Sequence, residues 1–420
     1  MIILDLFSGA GGLSEGFFRV GSTFVGHVEA DKYASDTLCT RTAYWNLRKE
    51  NKLSIYEDYL LKNITRDELW EKANVINSND VINTRISNDT FNEITKTIKQ
   101  NLKEKNLKTV DLIIGGPPCQ AYSIVGRARM KDSVACDPRN FLYQYYVRFL
   151  ETFKPKMFIF ENVPGLLSAA NGEHFENIKK AIEKAGYHME LDELIASDYG
   201  VLQARKRIII VGWKKNKKQK NYKYPDFEKI DNSNYYVKDV LNDLPITKPD
   251  NIIEGKDKYR SKTNQYLIDS NIREDGFDIL TQHETRMHNK QDIEIYKEAI
   301  TAWNKDEKKL CYKELASRRP DLISHKNTTS FTNRFNVIKA NTQASHTILA
   351  HMAMDGHYYI HPDIEQHRSL SVREAARLQS FPDDFYFEGP RTAQFRQIGN
   401  AVPPKMAEQI AKKIKEMLKK

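Results

Sequence analysis

Cysteine is scarce in this chain, and what little there is forms no paired motif. The 420 residues contain Cys39, Cys119, Cys136 and Cys311, and none of these stands in a CxxC spacing. This usage excludes a disulfide framework, predicts no metal site and points to a reducing cytoplasm. Apolar runs near the roughly 18 residues that a membrane helix needs are also missing. The N-terminus lacks the basic segment and long apolar stretch of a secretory signal, so we expect a cytoplasmic protein that does not contact membranes.

Acidic residues are the less frequent charged type in a chain that is otherwise well charged. There are 56 Asp and Glu against 65 Lys and Arg, which gives a formal net charge of +9. A basic balance favours a polyanionic partner, of which nucleic acid is the first candidate, although a lysine-rich proteome would produce the same balance. The length of 420 residues exceeds that of one ordinary compact core and predicts two domains.

Short apolar runs alternate with helical segments through the first half of the chain. The runs interpreted as strands are residues 2–7, 23–28, 110–114, 157–160 and 208–211. Helices are predicted to begin at Leu13 and to cover residues 141–153 and 173–185. Near-continuous apolar strands are typical of a parallel sheet that is covered on both faces. The predicted fold class is therefore α/β, with a doubly wound, mostly parallel sheet.

The alternation stops after Trp213. The segment KKNKKQK (214–220) is interpreted as a solvated linker. From there to about residue 367 the sequence is polar and irregular, and we place a second, smaller domain there. Regular patterning returns at Ser371, which stands at capping-box spacing from Glu374 and opens a predicted helix. Another helix is predicted over residues 405–419.

A glycine-rich turn joins the first strand to the first helix in the segment DLFSGAGG (5–12). Glycine allows a backbone to pass close to a ligand. Glu29 ends the next predicted strand, where an acidic side chain can hold both hydroxyls of a ribose. Because the spacing is not GxGxxG, an adenosyl ligand without a pyrophosphate fits better than a dinucleotide. A purely structural glycine turn would give the same pattern.

Cys119 follows GGPP (115–118) at the end of a predicted strand, which is the edge where such sheets bind ligands. The two prolines make this loop rigid. Cys119 is therefore a candidate nucleophile, provided that its surroundings lower the thiol pKa from about 8.5. The usual role of a lone cysteine, a small buried apolar side chain, is the interpretation kept for the other three.

Charged side chains mark the two remaining strand boundaries. Glu161 of ENV (161–163) ends one strand and could donate a proton if its pKa were raised, although an ordinary strand-end carboxylate is equally consistent. In QARKR (203–207), alternation along an extended segment puts Arg205 and Arg207 on the same side. Taken alone, these two arginines would be interpreted as part of a solvated basic patch.

Taken in order, these segments resemble the prokaryotic DNA cytosine-5 methyltransferase family. The resemblance rests on DLFSGAGG (5–12), EAD (29–31), GPPCQ (116–120), ENV (161–163), QARKR (203–207), REAARLQSFP (373–382) and GNAVPP (399–404), with a weaker match at NDV (79–81). It implies a catalytic domain of residues 1–215 plus 398–420, a smaller irregular target-recognition domain of residues 216–366, and a hinge of residues 367–397.

The resemblance also implies a cofactor and a set of site residues. S-adenosyl-L-methionine would supply the methyl group, and Cys119 would attack carbon 6 of a cytosine flipped out of duplex DNA. Glu161 would protonate or hydrogen-bond ring nitrogen 3, while Arg205 and Arg207 would hold the base. The implied cofactor contacts are Phe7, Ser8, Gly9, Gly11, Gly12, Glu29, Ala30, Asp80, Val81, Pro118, Leu142, Asn400 and Val402. The implied substrate contacts are Gln120, Ser123, Gln203, Thr347 and Ile348.

Two other functions share parts of this pattern. A tRNA cytosine-5 methyltransferase would use the same catalytic domain, but the long segment after Trp213 leaves room for a domain that reads DNA. A catalytically inactive DNA-binding protein that senses S-adenosylmethionine would not need Cys119, Glu161 and both arginines. We therefore expect a monomeric modification enzyme of a restriction-modification system, with a separate restriction endonuclease as its cognate partner.

Overall fold

The computed structural model describes residues 1–118, 141–215, 222–323 and 334–419. The strands of its large sheet are β1 (Ile2–Leu6), β2 (Thr23–Glu29), β3 (Val81–Asn83), β4 (Leu112–Gly115), β5 (Met157–Asn162), β6 (Tyr187–Ile195) and β7 (Lys206–Lys214). They lie in the order β3-β2-β1-β4-β5-β7-β6. The first five are parallel, whereas β7 is antiparallel to both β5 and β6. The predicted α/β fold with a mostly parallel sheet is confirmed.

Helices cover the two faces of this sheet. They are α1 (Gly12–Arg19), α2 (Lys32–Lys49), α3 (Leu53–Leu60), α4 (Arg66–Lys72), α5 (Asn88–Glu104), α6 (Leu142–Phe153) and α7 (Glu173–Lys184). Successive residues of a strand point to opposite faces, and both faces of β5 are apolar. Phe158 packs on one face with residues of α5, α6 and α7, while Ile159 packs on the other with residues of α1. This two-sided burial explains the near-continuous apolar runs in the sequence.

The second half of the chain adds a two-stranded antiparallel sheet and further helices. These elements are β8 (Ile252–Lys256), β9 (Ile279–Glu284), α8 (Gln265–Asp269), α9 (Lys290–Asp306), α10 (Tyr312–Arg318), α11 (Val372–Leu378), α12 (Arg391–Asn400) and α13 (Pro404–Lys419). The predicted capping box is present, because Ser371 accepts from the Glu374 amide and the Glu374 carboxylate accepts from the Ser371 amide. Helix α13 packs on α1, so it returns to the sheet of the first half. In the part of the chain that the structure describes, no helix is both long and apolar enough to cross a membrane.

One apolar core connects the first half of the chain with the second. It contains Ala10 and Leu202 from the sheet region together with Val237, Ile348 and Phe395 from later segments. The described parts of the predicted target-recognition and hinge segments are therefore packed against the loops that follow the strands. The exact domain boundaries drawn from the sequence stay a prediction.

Candidate active site

A cavity of about 620 Å³ lies at the carboxyl edge of the large sheet. Its walls are the loops that follow β1, β2, β3, β4 and β5, the start of β7, and the end of α12. It brings together all the predicted cofactor residues except Gly11, Asp80 and Val81. Glu161 and Arg207, two of the predicted catalytic residues, line the same cavity. Open α/β sheets bind ligands at this edge.

The glycine turn after β1 forms the floor of the cavity. Phe7 and Gly9 both have φ of 55°, and Gly11 has φ of 86°. A β-carbon on Gly9 would meet no atom within 4 Å, so the backbone at Gly9 faces open space. Ser8 and Gly12 also line the cavity, whereas Gly11 lies behind them as the N-cap of α1. A left-handed turn with a bare backbone explains the demand for glycine at position 9.

Glu29, at the end of β2, holds this turn in place. Its carboxylate accepts hydrogen bonds from the backbone N–H groups of Gly9 (2.8 Å), Ala30 (2.9 Å) and Asp31 (2.8 Å). Burial raises the pKa of Glu29, and these three hydrogen bonds oppose that rise. Glu29 and Ala30 both line the cavity. A carboxylate fixed by amides keeps lone pairs for the hydroxyl groups of a ligand.

At β3, the residues that line the cavity are not the ones that the sequence predicted. Asp80 lies before β3, and its carboxylate pairs with Lys105 at 2.6 Å. Val81 begins the strand at the end remote from the cavity. The cavity wall is formed instead by the residues that follow β3, which are Thr84, Arg85 and Ile86. The NDV match therefore falls too early in the chain for the carboxyl edge, and the adenine contact of Asp80 stays a prediction.

Glu161 and Arg207 form an ion pair at the cavity wall. The distance from Arg207 Nε to Glu161 Oε1 is 2.6 Å, and Arg207 Nη1 donates to the Lys206 carbonyl at 2.8 Å. A β-carbon on Gly116 would collide with the Glu161 carboxylate, so glycine at 116 lets the loop after β4 lie against this pair. Burial lowers the pKa of Arg207, and Glu161 offsets part of the effect.

Asn162 fixes the proline loop that precedes the predicted nucleophile. Its Nδ2 donates to the Pro117 carbonyl at 3.2 Å, and its Oδ1 accepts from the Val163 amide at 2.8 Å. Pro117 and Pro118 line the cavity beside Glu161. The predicted residues Cys119, Gln120 and Ser123 lie outside the described residues.

Arg205, in contrast, does not line the cavity. It is fully buried, and its guanidinium donates to the Ile348 carbonyl at 2.8 Å and to the Gly399 carbonyl at 2.9 Å. Burial lowers its pKa well below the usual value, and the neighbouring Arg207 adds to the effect. Arg205 thus joins the start of β7 to the segment around Ile348 and to α12.

The other predicted substrate contacts belong to the same cluster of bonds. Gln203 is fully buried; its side chain accepts from the Ile348 amide at 3.0 Å and donates to the Leu378 carbonyl at 2.9 Å. Thr347 Oγ1 donates to the Ala204 carbonyl at 3.0 Å. The structure therefore brings Gln203, Thr347 and Ile348 together, with Ile348 buried and Thr347 partly exposed.

Three further residues that the sequence predicted as cofactor contacts also line the cavity, and they lie at or beside helix ends and not after strands. Leu142 begins α6, Asn400 ends α12, and Val402 lies between α12 and α13. Sequence reasoning missed Arg396, which lines the cavity one helical turn before Asn400. The spacing of four residues on a helix is the signal that could have identified it. Asn162 could similarly have been identified from its position beside Glu161.

Comparison with known proteins agrees with this arrangement. The family model for C-5 cytosine-specific DNA methylase matches residues 1–67 and 68–416. The type II methyltransferase M.Bpa9945I of Bacillus paralicheniformis is 42% identical, over 100% of this chain and 99% of that protein. The type II methyltransferase M.FnuDI of Fusobacterium nucleatum is 30% identical, over 100% of this chain and 95% of that protein.

Solved structures share the fold at lower identity. A prophage-encoded E. coli protein, described as a DNA modification methyltransferase, aligns with a TM-score of 0.60 and 23% identity over 100% of both chains. The Dnmt2 methyltransferase of S. pombe aligns with a TM-score of 0.52 and 13% identity over 99% of both chains. The family match covers nearly the whole length, and the cavity at the carboxyl edge of the sheet is built from the matching segments. The chain belongs to the C-5 cytosine-specific DNA methylase family and is a DNA cytosine-5 methyltransferase.

Proposed function

We propose that this enzyme uses S-adenosyl-L-methionine to methylate cytosine within one specific duplex DNA sequence, through a covalent bond between Cys119 and the base. The observation that carries the proposal is the Glu161–Arg207 ion pair, held against the Gly116–Pro118 loop in the cavity that Glu29 also lines. This arrangement supports the proposal because one cavity holds both a polar pair that suits a base and a carboxylate that suits a ribose. The bond to Cys119 is inferred from its place directly after Pro118.

The residues of the cavity fit the cofactor. The Glu29 carboxylate suits the two ribose hydroxyls, and the bare backbone at Gly9 leaves room for the amino-acid part of the ligand. Phe7, Ile86 and Leu142 supply apolar walls for a purine ring. A volume of about 620 Å³ is within the range of small-molecule sites. When bound, the cofactor supplies an electrophilic methyl group carried on a sulfonium.

The chain's own groups would activate the cytosine. The Cys119 thiolate adds to carbon 6, which breaks aromaticity and makes carbon 5 nucleophilic. Glu161 shares a proton with ring nitrogen 3 and so neutralises the charge that develops there. Arg207, held by Glu161 and the Lys206 carbonyl, is placed to donate to the carbonyl oxygen of the base. After carbon 5 has gained the methyl group, loss of its proton to solvent expels Cys119 and restores the ring.

The base must leave the duplex to reach this cavity, because carbon 6 is not accessible within a stacked helix. We assign the choice of DNA sequence to residues 216–366, in which the predicted substrate contact Thr347 donates to the Ala204 carbonyl just before β7. The named relatives are type II methyltransferases, which supports a role as the modification enzyme of a restriction-modification system. Such an enzyme would act in the cytoplasm, as a monomer, beside a separate endonuclease.

Bisulfite sequencing of DNA from cells that express the chain tests the substrate and reveals the recognition sequence. We expect one short sequence to carry 5-methylcytosine at nearly every copy. Purified enzyme should transfer labelled methyl groups to a duplex that contains this sequence. Methylation of tRNA, with none on duplex DNA, would contradict the proposal.

Duplex DNA with 5-fluorocytosine at the target position tests the covalent step. Fluorine cannot leave as a cation, so elimination fails and the enzyme should remain attached to the DNA through denaturing electrophoresis. Cys119→Ala should give no such complex, whereas Cys39→Ala and Cys136→Ala should trap as the wild type does. A trapped complex with Cys119→Ala would show that another residue is the nucleophile.

A further inference from the structure

A concave basic surface lies at the edge of the large sheet opposite the cavity. Four lysines surround a depression of about 270 Å³, and we call this group the lysine surface: Lys154, Lys184, Lys214 and Lys215. Lys154 is the C-cap of α6, Lys184 ends α7, and Lys214 ends β7. Separate elements of the fold therefore bring these cations to one place.

The backbone positions of two of these lysines are fixed by hydrogen bonds. The Lys214 amide donates to the Lys156 carbonyl at 3.2 Å, and the Lys215 amide donates to the Gly186 carbonyl at 3.0 Å. Lys214 is partly buried, while the other three lysines are exposed. The long side chains thus extend from a rigid frame into solvent.

None of the four lysines has an ion-pair partner among the described residues. The adjacent Lys156 differs, since its ammonium pairs with Asp111 at 3.0 Å. Glu151 is the one acid among the described residues that line the depression, so the local balance is positive. Burial and the neighbouring Lys154 lower the pKa of Lys214, as expected for cations that repel each other.

Helix polarity accounts for only part of this cluster. Cations are favoured at helix C-termini, which explains Lys154 and Lys184. Lys214 ends a strand and Lys215 follows it, and no helix dipole acts there. Arg207, near the start of β7, lines the cavity, whereas Lys214, the last residue of β7, belongs to the lysine surface. The length of β7 therefore separates the two sites. At about 3.3 Å per residue the separation is roughly 23 Å.

We propose that the lysine surface binds the phosphate backbone of a second DNA segment while the cavity holds the target strand. Unpaired ammonium groups on a concave surface suit a polyanion, and phosphate contacts give affinity without sequence preference. The proposal rests on the function above only in taking DNA as the substrate. Its consequence is that one enzyme molecule can bridge two duplexes, or two distant parts of one.

A bridging assay tests this directly. A duplex without the recognition sequence is attached to beads, the protein is added at low salt, and capture of a second, fluorescent duplex is measured. We expect the wild type to capture it. The variant in which Lys154, Lys184, Lys214 and Lys215 are all replaced by serine should still bind the immobilised duplex but lose most of the capture. Its affinity for long DNA should also depend less on salt, by about 0.9 in the logarithmic slope for each phosphate that the variant no longer binds.

The matched control removes the same charge from another exposed surface. Lys96, Lys99 and Lys103 on α5, with Lys108 beyond it, are exposed and can be replaced by serine together. This control should bridge as the wild type does. Undiminished capture by the first variant, or none by the wild type, would overturn the proposal. Capture of phosphatidylserine vesicles but not of a second duplex would overturn it as well and assign the surface to lipid. Bridging without any cytosine methylation would contradict the proposed function and leave this inference standing.

Discussion

At the scale of single residues, Glu29 connects the turn after β1 with the cavity. It accepts three backbone hydrogen bonds and lines the cavity, so one side chain both shapes the turn and faces the proposed cofactor site. Glu29→Ala should weaken binding of S-adenosylmethionine roughly tenfold or more, since a hydrogen bond to a charged group contributes about 1.5–3 kcal/mol. Calorimetry measures the affinity, and thermal unfolding shows whether the variant is folded.

Asp80→Asn is the comparison variant for Glu29→Ala in the same measurement of cofactor affinity. A similar loss of affinity would support the adenine contact that the sequence predicts. Unchanged affinity would agree with the Asp80–Lys105 ion pair and would assign that wall of the cavity to Thr84–Ile86. Unchanged affinity in folded Glu29→Ala would remove Glu29 from the site.

Substitutions of Arg207, in β7, and of Arg205, just before it, should have different effects on activity and stability. Arg207→Lys keeps a charge but loses the fork beside Glu161, so kcat should fall by about a hundredfold or more with little change in Tm, as for loss of one preorganised donor. Arg205→Ala should instead lower Tm, because the buried carbonyls of Ile348 and Gly399 lose their donor at about 1–3 kcal/mol each. Methylation kinetics and calorimetry on both variants make the comparison. An Arg205→Ala enzyme of full stability but without activity would favour the catalytic role that the sequence suggested.

The sequence identified these residues better than it identified their contacts. Glu29 and Glu161 end apolar strands, and strand ends meet at one edge, so their convergence follows from local pattern. Arg205 and Arg207 alternate identically in the sequence, yet one is enclosed by carbonyls from residues 348 and 399 while the other faces the cavity. That difference depends on which distant segments pack nearby, which no spacing within QARKR encodes.

At the scale of elements, two buried histidines contact the N-terminal turn of α11. His283 contacts Ser371 Oγ at 2.9 Å, and His361 lies 3.5 Å from the Glu374 carboxylate. Burial lowers the pKa of both His283 and His361 to about 4. Unfolded histidine takes up a proton near pH 6.5. The contribution of these two histidines to the free energy of unfolding should therefore be fully present above pH 6.5. It should decrease as the pH falls towards 4, since in that range only the unfolded chain binds these protons readily.

Thermal unfolding between pH 7.5 and 4.5 measures this dependence. Tm should decline below pH 6.5, and His361→Gln should decline less steeply because one of the groups that stay neutral in the fold is gone. His188→Gln, at an exposed position of β6, is the control substitution. A flat profile for the wild type would contradict the effect.

Elements were predictable where the local signal was strong. The runs that became β1, β2, β4 and β5 are apolar on both faces, and the capping box of α11 is local by nature. Strand β6 was missed because charged residues alternate along an edge strand whose outer positions face solvent. Strand β3 was also missed, because its three residues are too few to give a pattern. The antiparallel direction of β7 depends on β6 preceding it as a hairpin partner, and so could not be predicted once β6 was missed.

At the scale of the whole molecule, the segment that we propose recognises DNA is hydrogen-bonded to the residues before β7, beside Gln203. The Ser345 amide donates to the Leu202 carbonyl, and the Ala204 amide donates to the Ser345 carbonyl, at 3.0 and 2.9 Å. A chimera that takes residues 222–340 from the 42% identical relative and keeps 341–420 should therefore fold. It should methylate the relative's DNA sequence, because base contacts specify and phosphate contacts position. Bisulfite sequencing reads the result. Retention of the original sequence by an active chimera would place specificity elsewhere.

The packing of α13 against α1 brings together parts of the cavity that lie far apart in the sequence. Gly16 allows the two helices to touch, because a β-carbon there would collide with the Ala407 backbone. Val402 and Asn400, just before α13, complete the wall of the cavity whose floor is the turn at residues 7–12. During synthesis these two parts of the cavity wall are therefore made nearly 400 residues apart. A nascent or truncated chain can carry Glu29, Cys119 and Glu161 and still lack a closed pocket. We therefore expect cofactor binding, and with it methylation, to begin only after Asn400 and Val402 have been synthesised and α13 has packed on α1.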